Sequence, residues 1–171
     1  ETVINHTGNF KAAGEDEITY EMLKKLGPKA KELLLLIFNL VWKDPGGLPR
    51  NWRTAVIRPL LKEGKDPEKT ASYRPISLTS CCGKILEKIV ADRMTQILEE
   101  RGLFTNNQAG FRQGRSTTDQ VLKLTQNAIE QIHQKDEGSV TLVTFFDYEK
   151  AYDKVWRAGL LSKMQKLELP G

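Results

Sequence analysis

The sequence predicts an α+β fold in which amphipathic helices accompany a few short strands. Apolar residues recur at helical spacing in several segments, two arms rich in β-branched residues flank a polar turn, and a third such run lies near the C-terminus. The 171 residues are 39% hydrophobic and 28% charged, so the chain is expected to fold around a core. Its longest apolar run, 33–38, is far shorter than the roughly 20 residues of a membrane span, so no membrane partner is expected.

The first third of the chain is predicted to be helical after an irregular start over 1–17. Helical spacing predicts a helix over 18–26, which Gly27-Pro28 ends. A second helix is predicted over 29–43, before a Pro-Gly-Gly breaker. Five apolar residues assign most of that second helix to the core: Leu33, Leu36, Ile37, Leu40 and Val41.

A long hairpin with a basic tip is predicted next. Residues 55–61 and 73–78 form the two arms around the polar turn 62–67. Pro59 and Pro75 favour an edge or bulged hairpin, because proline donates no hydrogen bond to a strand ladder.

Two amphipathic helices are predicted on either side of a loop rich in Asn, Gln, Gly and Arg. The first helix covers 85–98, and Gly102 suits its C-terminal cap. The loop covers 106–115. Residues 116–119 then resemble a capping box in which Asp replaces the usual Glu, and the helix that follows is predicted to end at 136–138.

The β-branched and aromatic run 140–146 predicts a buried strand that ends at Asp147, and helical periodicity returns over 151–169. A carboxylate at the end of a buried strand is held rigidly and suits Mg²⁺, which can bridge phosphate oxygens. An acid that only favours the N-terminus of the next helix would look the same. The residues alone leave both interpretations open.

Positive charge is concentrated in two stretches of the chain. Residues 50–74 contain seven cations and three acids, and residues 101–115 contain three cations and no acid, whereas the whole chain has a net charge of +4. The two stretches together therefore hold +7. This distribution indicates a phosphate or nucleic-acid surface, although a solvated surface patch would have the same composition.

The two cysteines, Cys81 and Cys82, are adjacent in the sequence. Adjacent cysteines rarely reach disulfide geometry, and no further His or Cys stands at zinc spacing. We expect small buried side chains, as in a reducing compartment.

Five motifs follow one another in an order that resembles a known family. Residues 147–155, Asp-Tyr-Glu-Lys-Ala-Tyr-Asp-Lys-Val, resemble motif A of the reverse transcriptases of non-LTR (LINE-type, jockey-like) retrotransposons. The other four motifs resemble further blocks of that family. Gly-Glu-Asp-Glu-Ile at 14–18 differs from the family's pattern at two positions. The remaining three are Leu-Pro-Arg-Asn-Trp-Arg at 48–53, the two arms of the hairpin, and Gln-Ala-Gly-Phe-Arg at 108–112 with 114–117. One match could be chance, but five in order across residues 12–170 are specific.

The resemblance implies the fingers of a right-handed polymerase with the beginning of its palm. It divides the chain into an N-terminal helical extension over 1–52, a fingers region over 53–138, and the start of the palm over 139–171. A start without Met and a stop soon after motif A suggest a fragment. The family's second acidic motif, aromatic-x-Asp-Asp, has no counterpart because no Asp-Asp pair occurs in the sequence.

The resemblance also implies roles for residues of motif A. Asp147 matches a catalytic ligand of Mg²⁺, with Mn²⁺ as a possible substitute, and the Tyr148 carbonyl matches a second metal contact. Tyr152 matches the aromatic residue that excludes a ribose 2′-hydroxyl group.

Five basic residues match the family's nucleotide and nucleic-acid contacts. Lys62 and Arg74 match residues that hold the incoming triphosphate, and Lys65 is a weaker candidate of the same kind. Arg112 and Arg115 match a block that either contacts template phosphate or braces the nucleotide site, and the sequence does not choose between these roles.

The function implied is RNA-directed DNA synthesis on an RNA template with a DNA primer and deoxynucleoside triphosphates. Because a two-metal site cannot be built from one carboxylate, we expect the chain to be inactive by itself. The alternatives are a non-catalytic nucleic-acid-binding remnant and a helical scaffold without a ligand. Because such enzymes are made in the cytoplasm and work on nuclear DNA, the resemblance implies an intracellular location, in the nucleus, the cytoplasm or both. The sequence does not specify an oligomeric state.

Overall fold

The computed structural model describes residues 1–134, 140–149 and 151–169, which form two compact units, 1–95 and 96–171. The elements are mixed helix and strand, so the α+β class is confirmed at that level. In chain order they are α1 Thr2–Asn5, α2 Tyr20–Lys24, α3 Pro28–Lys43, α4 Arg50–Arg53, β1 Val56–Leu61, β2 Tyr73–Leu78, α5 Cys81–Glu100, α6 Thr117–Gln134 and α7 Arg157–Lys166. Helix α5 begins in the first unit and ends in the second.

The core of the first unit joins its helices. Buried side chains come from α1, α2, α3 and the first turns of α5: Ile4, Leu23, Leu34, Phe38, Cys81, Cys82 and Ile85. Trp52 of α4 packs edge-on against Phe38, with ring centroids 5.8 Å apart. Both cysteines are buried free thiols, as expected from the sequence.

Three details of the first unit differ from the sequence prediction. Thr2–Asn5 form a short helix within the segment predicted to be irregular. Pro28 begins α3, because a proline at the first helical position gives up an N–H that has no intrahelical partner anyway. The face of α3 that packs is Leu34 and Phe38. Leu33, Leu36 and Leu40, which were assigned to the core, are each more than half exposed. Apolar residues occur almost all around this helix, so spacing could not select the packed face.

The hairpin and the helices α5 and α6 agree with the prediction. Strands β1 and β2 pair antiparallel, with Val56 opposite Leu78 and Leu61 opposite Tyr73. Gly102, at φ 61°, caps α5: its N–H bonds the Glu99 carbonyl, and the next N–H bonds the Leu98 carbonyl.

The predicted capping box at the start of α6 is also present. The Asp119 N–H donates to the Ser116 hydroxyl over 3.1 Å, and the Ser116 N–H donates to the Asp119 carboxylate over 3.0 Å. The predicted end of this helix at 136–138 lies outside the described residues.

The predicted buried strand over 140–146 is wrong for this structure. Residues 140–148 are irregular, and Val140, Phe145 and Phe146 are each more than four-fifths exposed. A strand requires neighbours for its backbone N–H and C=O groups, and β1 and β2 form a sheet of two strands within the described residues. Helix α7 also begins at Arg157 rather than near 151, after turns over 151–154.

Within the described residues, no helix combines the length and the apolar character needed to cross a membrane.

Candidate functional site

The register of the hairpin explains how it accommodates a proline in each strand. Pro59 lies directly opposite Pro75. Beyond the paired strands, the Lys62 N–H donates to the Ser72 carbonyl over 2.8 Å, so the even-numbered positions of β1 are the hydrogen-bonded ones. The proline pair therefore occupies a non-hydrogen-bonded position. The missing N–H groups would have pointed away from the ladder, so both outer edges of the hairpin resist a further strand.

The same register places three cations on one face of the hairpin. Side chains alternate between faces along a strand, so Arg58 and Lys62 share a face, and Arg74, opposite Leu60, lies on it as well. Diagonal neighbours such as Arg58 and Arg74 are about 7–8 Å apart in antiparallel pairs, within reach of long side chains. The opposite face carries no charge on the paired residues: Ile57, Pro59, Leu61, Tyr73, Pro75 and Ser77. We call the first surface the cationic face.

The cations of the hairpin differ in how far they are already engaged. Lys62 Nζ donates to the Ala71 carbonyl over 2.8 Å, which ties that side chain to the turn. Arg58 and Arg74 are exposed, and neither side chain makes a hydrogen bond or an ion pair with another described residue. Lys65 is exposed in the turn, beside Gly64 at φ 68°. The two arginines therefore offer complete guanidinium groups for an anionic ligand.

Arg58 is the residue of the cationic face that sequence reasoning missed. A signal was available, because Arg58 and Lys62 are an even number of residues apart on a predicted strand and therefore share a face. The position of Arg74 relative to them required the register across the hairpin, which the sequence of one arm does not contain.

In the second unit, Arg112 is held by a network of polar contacts. Its Nε and Nη2 donate to the two carboxylate oxygens of Glu99 over 2.8 and 2.6 Å. Its Nη1 donates to the Thr105 carbonyl over 2.7 Å and to the Gln108 carbonyl over 3.3 Å. The guanidinium carbon lies 5.1 Å from the centre of the Phe104 ring.

These contacts change the acidity of both partners. The hydrogen bond from Arg112 lowers the pKa of Glu99, and its charge acts in the same direction. The reciprocal hydrogen bond raises the pKa of Arg112. The pair is therefore fully ionised at neutral pH.

Beside this network, the loop presents an aromatic ring and a second arginine. Phe111 is 93% exposed and has a positive φ of 60°, a conformation that bulky residues rarely adopt. Arg115 is exposed and makes no hydrogen bond or ion pair with another described residue. Both line a shallow groove that continues to the first turn of α6.

The residues of motif A are exposed in the second unit. Asp147 lies in the irregular segment, the Tyr148 side chain is 84% exposed, and Tyr152 in the following turn is 78% exposed. The described parts of the chain contain no group of three His, Cys, Asp or Glu residues that could together hold a metal ion. Among the described residues, Asp147 is therefore not part of such a group.

The sequence-predicted residues fall into two sets. Lys62, Lys65 and Arg74 belong to the first unit. The remaining five belong to the second unit: Arg112, Arg115, Asp147, Tyr148 and Tyr152. Within the second unit, Arg112 and Arg115 share the groove, while Asp147, Tyr148 and Tyr152 follow one another closely along the chain.

The class of protein is defined by comparison with known families. Residues 61–171 match the family described as reverse transcriptase (RNA-dependent DNA polymerase). The matched range contains the turn and β2 of the hairpin, the Arg112 loop and motif A. The chain belongs to this family.

Three relatives from Drosophila melanogaster identify the subgroup. The chain is 38% identical over 157 residues to the probable RNA-directed DNA polymerase from transposon BS. It is 34% identical over 160 residues to the RNA-directed DNA polymerase from mobile element jockey, and 32% identical over 164 residues to a probable one from transposon X-element. The matches cover 92–96% of this chain but only 17–18% of the relatives. The predicted resemblance to the polymerases of jockey-like elements is confirmed.

Proposed function

We propose that this chain is the fingers region and the beginning of the palm of an RNA-directed DNA polymerase of a non-LTR retrotransposon. The fingers would cover 53–138, and the palm would begin at 139. The substrates would be an RNA template, a DNA primer and deoxynucleoside triphosphates. The observation that carries the proposal is the cationic face of the hairpin, which places Arg58 on the same face as Lys62 and Arg74, the two residues that resemble the family's nucleotide contacts.

The cationic face has the chemistry that a triphosphate or a phosphate backbone requires. Arg74 and Arg58 each supply a planar fork that can bind two phosphate oxygens, and Lys62 supplies a point charge held against the turn. Lys65 would add a cation at the tip. In phosphoryl transfer the protein acts mainly by positioning and by neutralising charge, so these side chains would orient the nucleotide for attack.

Motif A would supply the other half of the chemistry. The Asp147 carboxylate and the Tyr148 carbonyl would hold Mg²⁺ or Mn²⁺, since hard divalent cations prefer oxygen ligands. When bound, the metal would neutralise phosphate charge and polarise the reacting oxygens. Tyr152 would lie against the sugar of the incoming nucleotide and select for the absence of a 2′-hydroxyl group.

The loop of the second unit would contribute to nucleic-acid binding. Arg115 would bind template phosphate, and Arg112 would belong to the same surface. Because the exposed arginines bind phosphate through charge, we expect weak binding without sequence preference and a steep fall in affinity with salt.

A second candidate function is binding without catalysis. It is favoured by the absence of an Asp-Asp pair from the sequence, while the +7 of the two basic stretches is present. A chain with motif A alone would bind nucleic acid but would not join nucleotides, because two-metal transfer requires further carboxylates.

The proposal can be tested by moving one charge between the two faces of the hairpin. The double substitution Arg58→Ile and Ile57→Arg keeps composition and net charge but transfers one cation to the uncharged face. Both side chains are exposed, so the exchange disturbs no buried packing. The measurement is binding of a fluorescent single-stranded RNA to this chain over a series of salt concentrations.

We expect the exchanged variant to bind more weakly than the wild type. Its plot of log affinity against log salt should be shallower by about 0.7, the contribution of one phosphate contact on a single strand. Equal affinity would show that net charge alone matters and that the cationic face is not the binding surface. A wild-type chain that binds no RNA would contradict the proposed binding role itself.

A further inference from the structure

We propose that Glu99 and Arg112 form a positioning pair that holds the loop 103–116 in its binding conformation. On this assignment Arg112 does not bind phosphate, and Arg115 is the phosphate contact of the loop. The inference rests on the proposed nucleic-acid function, and it adds Glu99, at the end of α5, to the residues on which that function depends.

The hydrogen bonds of Arg112 leave little capacity for a ligand. A guanidinium group has five N–H donors, and four hydrogen bonds are already made. The edge formed by Nε and Nη2, which would bind a phosphate with two parallel bonds, is occupied by Glu99. The Arg112 side chain is only 8% exposed. A phosphate could bind this edge only by displacing a carboxylate.

The same contacts connect distant parts of the loop. Through Nη1, Arg112 bonds the carbonyls of Thr105 and Gln108, so one side chain joins the start and the middle of the loop to α5. A second tie is the hydrogen bond from Lys123 of α6 to Asn107 over 2.7 Å.

The loop has no core on which to depend. No described residue of the unit 96–171 is buried. The conformation of the loop therefore depends on polar contacts and not on a hydrophobic core. Phe111, immediately before Arg112, keeps its positive φ of 60° in an exposed position. Such a backbone conformation persists only where neighbouring contacts determine it, and the contacts of Arg112 are adjacent.

Arg115 has the opposite character. Three residues after Arg112, its guanidinium group is exposed and makes no hydrogen bond or ion pair with another described residue, although its charge also lowers the pKa of Glu99. It lines the groove together with Phe111 and the first turn of α6. A fixed loop therefore presents one free arginine, while the other arginine maintains the loop.

The two possible roles of Arg112 predict opposite effects of Glu99→Gln on the affinity for RNA. If Arg112 binds phosphate, Glu99 competes with the ligand, and Glu99→Gln should strengthen RNA binding. If the pair positions the loop, Glu99→Gln should weaken RNA binding, although the substitution removes a negative charge. Glu100→Gln is the matched control: it removes the same charge one residue away, from a side chain that accepts a hydrogen bond from Gln96 and from no other described residue.

The experiment measures binding of this chain to a single-stranded uridine oligonucleotide. We expect Glu99→Gln to weaken binding about fivefold, which is the change in an equilibrium that corresponds to about 1 kcal/mol. Glu100→Gln should leave affinity unchanged or slightly raise it. Arg115→Gln should weaken binding and reduce the salt slope by about 0.7. Equal or tighter binding by Glu99→Gln would overturn the inference, as would an Arg112→Gln variant that lowers the salt slope as Arg115→Gln does.

A second measurement does not require RNA. Amide hydrogen exchange reports on the loop through the N–H groups of Gln108 and Arg112, which bond the carbonyls of Thr105 and Ala109. Exchange there should accelerate in Glu99→Gln and not in Glu100→Gln or Arg115→Gln. Reversing the pair, with Glu99→Arg and Arg112→Glu together, should restore slow exchange in part.

The two measurements test the positioning pair and the proposed nucleic-acid binding separately. Unchanged exchange in Glu99→Gln would refute the positioning pair whether or not the chain binds RNA. Accelerated exchange in a chain that binds no RNA would support the pair and would contradict the proposed nucleic-acid function.

Discussion

Gly14 packs directly against the backbone of Ser80, at the start of α5. A Cβ added to Gly14 would lie 2.6 Å from the Ser80 nitrogen and 2.7 Å from the Thr79 carbonyl carbon. Ser80 itself is completely buried. The glycine of the first family motif is therefore required for a close approach between the segment before α2 and the N-terminus of α5.

The first prediction is that Gly14→Ala destabilises the first unit. Backbone atoms are the obstacle, so the new methyl group cannot be accommodated by rotating a side chain. We expect a loss of about 1–3 kcal/mol, the usual range for overpacking. Urea denaturation is the measurement. Gly110→Ala is the control, because a Cβ there meets nothing within 4 Å, and an equal loss in both variants would contradict the packing argument.

The second prediction concerns stability at alkaline pH. Burial raises the pKa of Cys82 to about 11, and the charge of Asp16 acts in the same direction. Burial also raises the pKa of Cys81 and of Tyr20. Because folding favours the protonated thiol, its contribution is complete below the ordinary thiol pKa of 9.0 and is lost as pH rises toward 11.

We therefore expect the free energy of unfolding to decline from pH 9 upward. The decline should be less steep in Cys82→Ala, and both thiols should react slowly with a disulfide reagent at pH 8 until the chain is unfolded. Rapid reaction of the folded chain would contradict the burial of the thiols.

The third prediction concerns the acidic side. The hydrogen bond from Arg112 lowers the pKa of Glu99 below its ordinary value of 4.5. The contribution of the ion pair to the free energy of unfolding is therefore complete above pH 4.5. It is lost as pH falls through the lower pKa that Glu99 has in the folded chain. We expect the Nε–H signal of Arg112 in an NMR spectrum to stay sharp at pH 5 and to broaden on further acidification. A midpoint at or above 4.5 would contradict the ion pair in solution.

The fourth prediction concerns Asp147 in a full-length polymerase that contains this sequence. Asp147→Ala should abolish primer extension on an RNA template with Mg²⁺ or Mn²⁺, because it removes a carboxylate that would hold the metal against the triphosphate. Glu149→Gln, two residues away, is the control and should retain most activity. Full activity of Asp147→Ala would remove the motif assignment.

The fifth prediction separates nucleotide binding from chemistry. In the same polymerase, Arg74→Ala should lower kcat/KM about 10- to 100-fold, as expected for loss of a charged hydrogen bond of about 1.5–3 kcal/mol. Most of the fall in kcat/KM should come from a rise in KM for the nucleotide.

The present chain by itself should extend no primer. Extension by this chain would mean that another acid completes the metal site.

Local chemistry was sufficient to predict much of this structure. The turn residues and β-branched arms specified the hairpin, Gly102 specified the end of α5, and Ser116 with Asp119 specified the start of α6. These features depend on residues close together in the chain, so the sequence contains their whole cause. The family resemblance likewise depended on short motifs in order, and the comparisons confirmed it.

Other features depended on partners far away in the sequence. Which face of α3 is buried was decided by packing with Ile4, Leu23 and Ile85, because the helix is apolar on nearly every side. The run 140–146 has a strand composition but is not a strand here, since β structure requires a neighbouring strand that composition cannot provide.

The sequence by itself determined the family, the hairpin and most of the candidate site residues. Only the tertiary structure decided which arginines contact other residues of the chain and which are exposed for a ligand. Arg58 joins Lys62 and Arg74 through the register of paired strands. Arg112 is bound to Glu99, thirteen residues away, while Arg115 makes no hydrogen bond or ion pair within the described part of the chain. A guanidinium group binds whichever anion is closest, and that distance is a property of the folded chain.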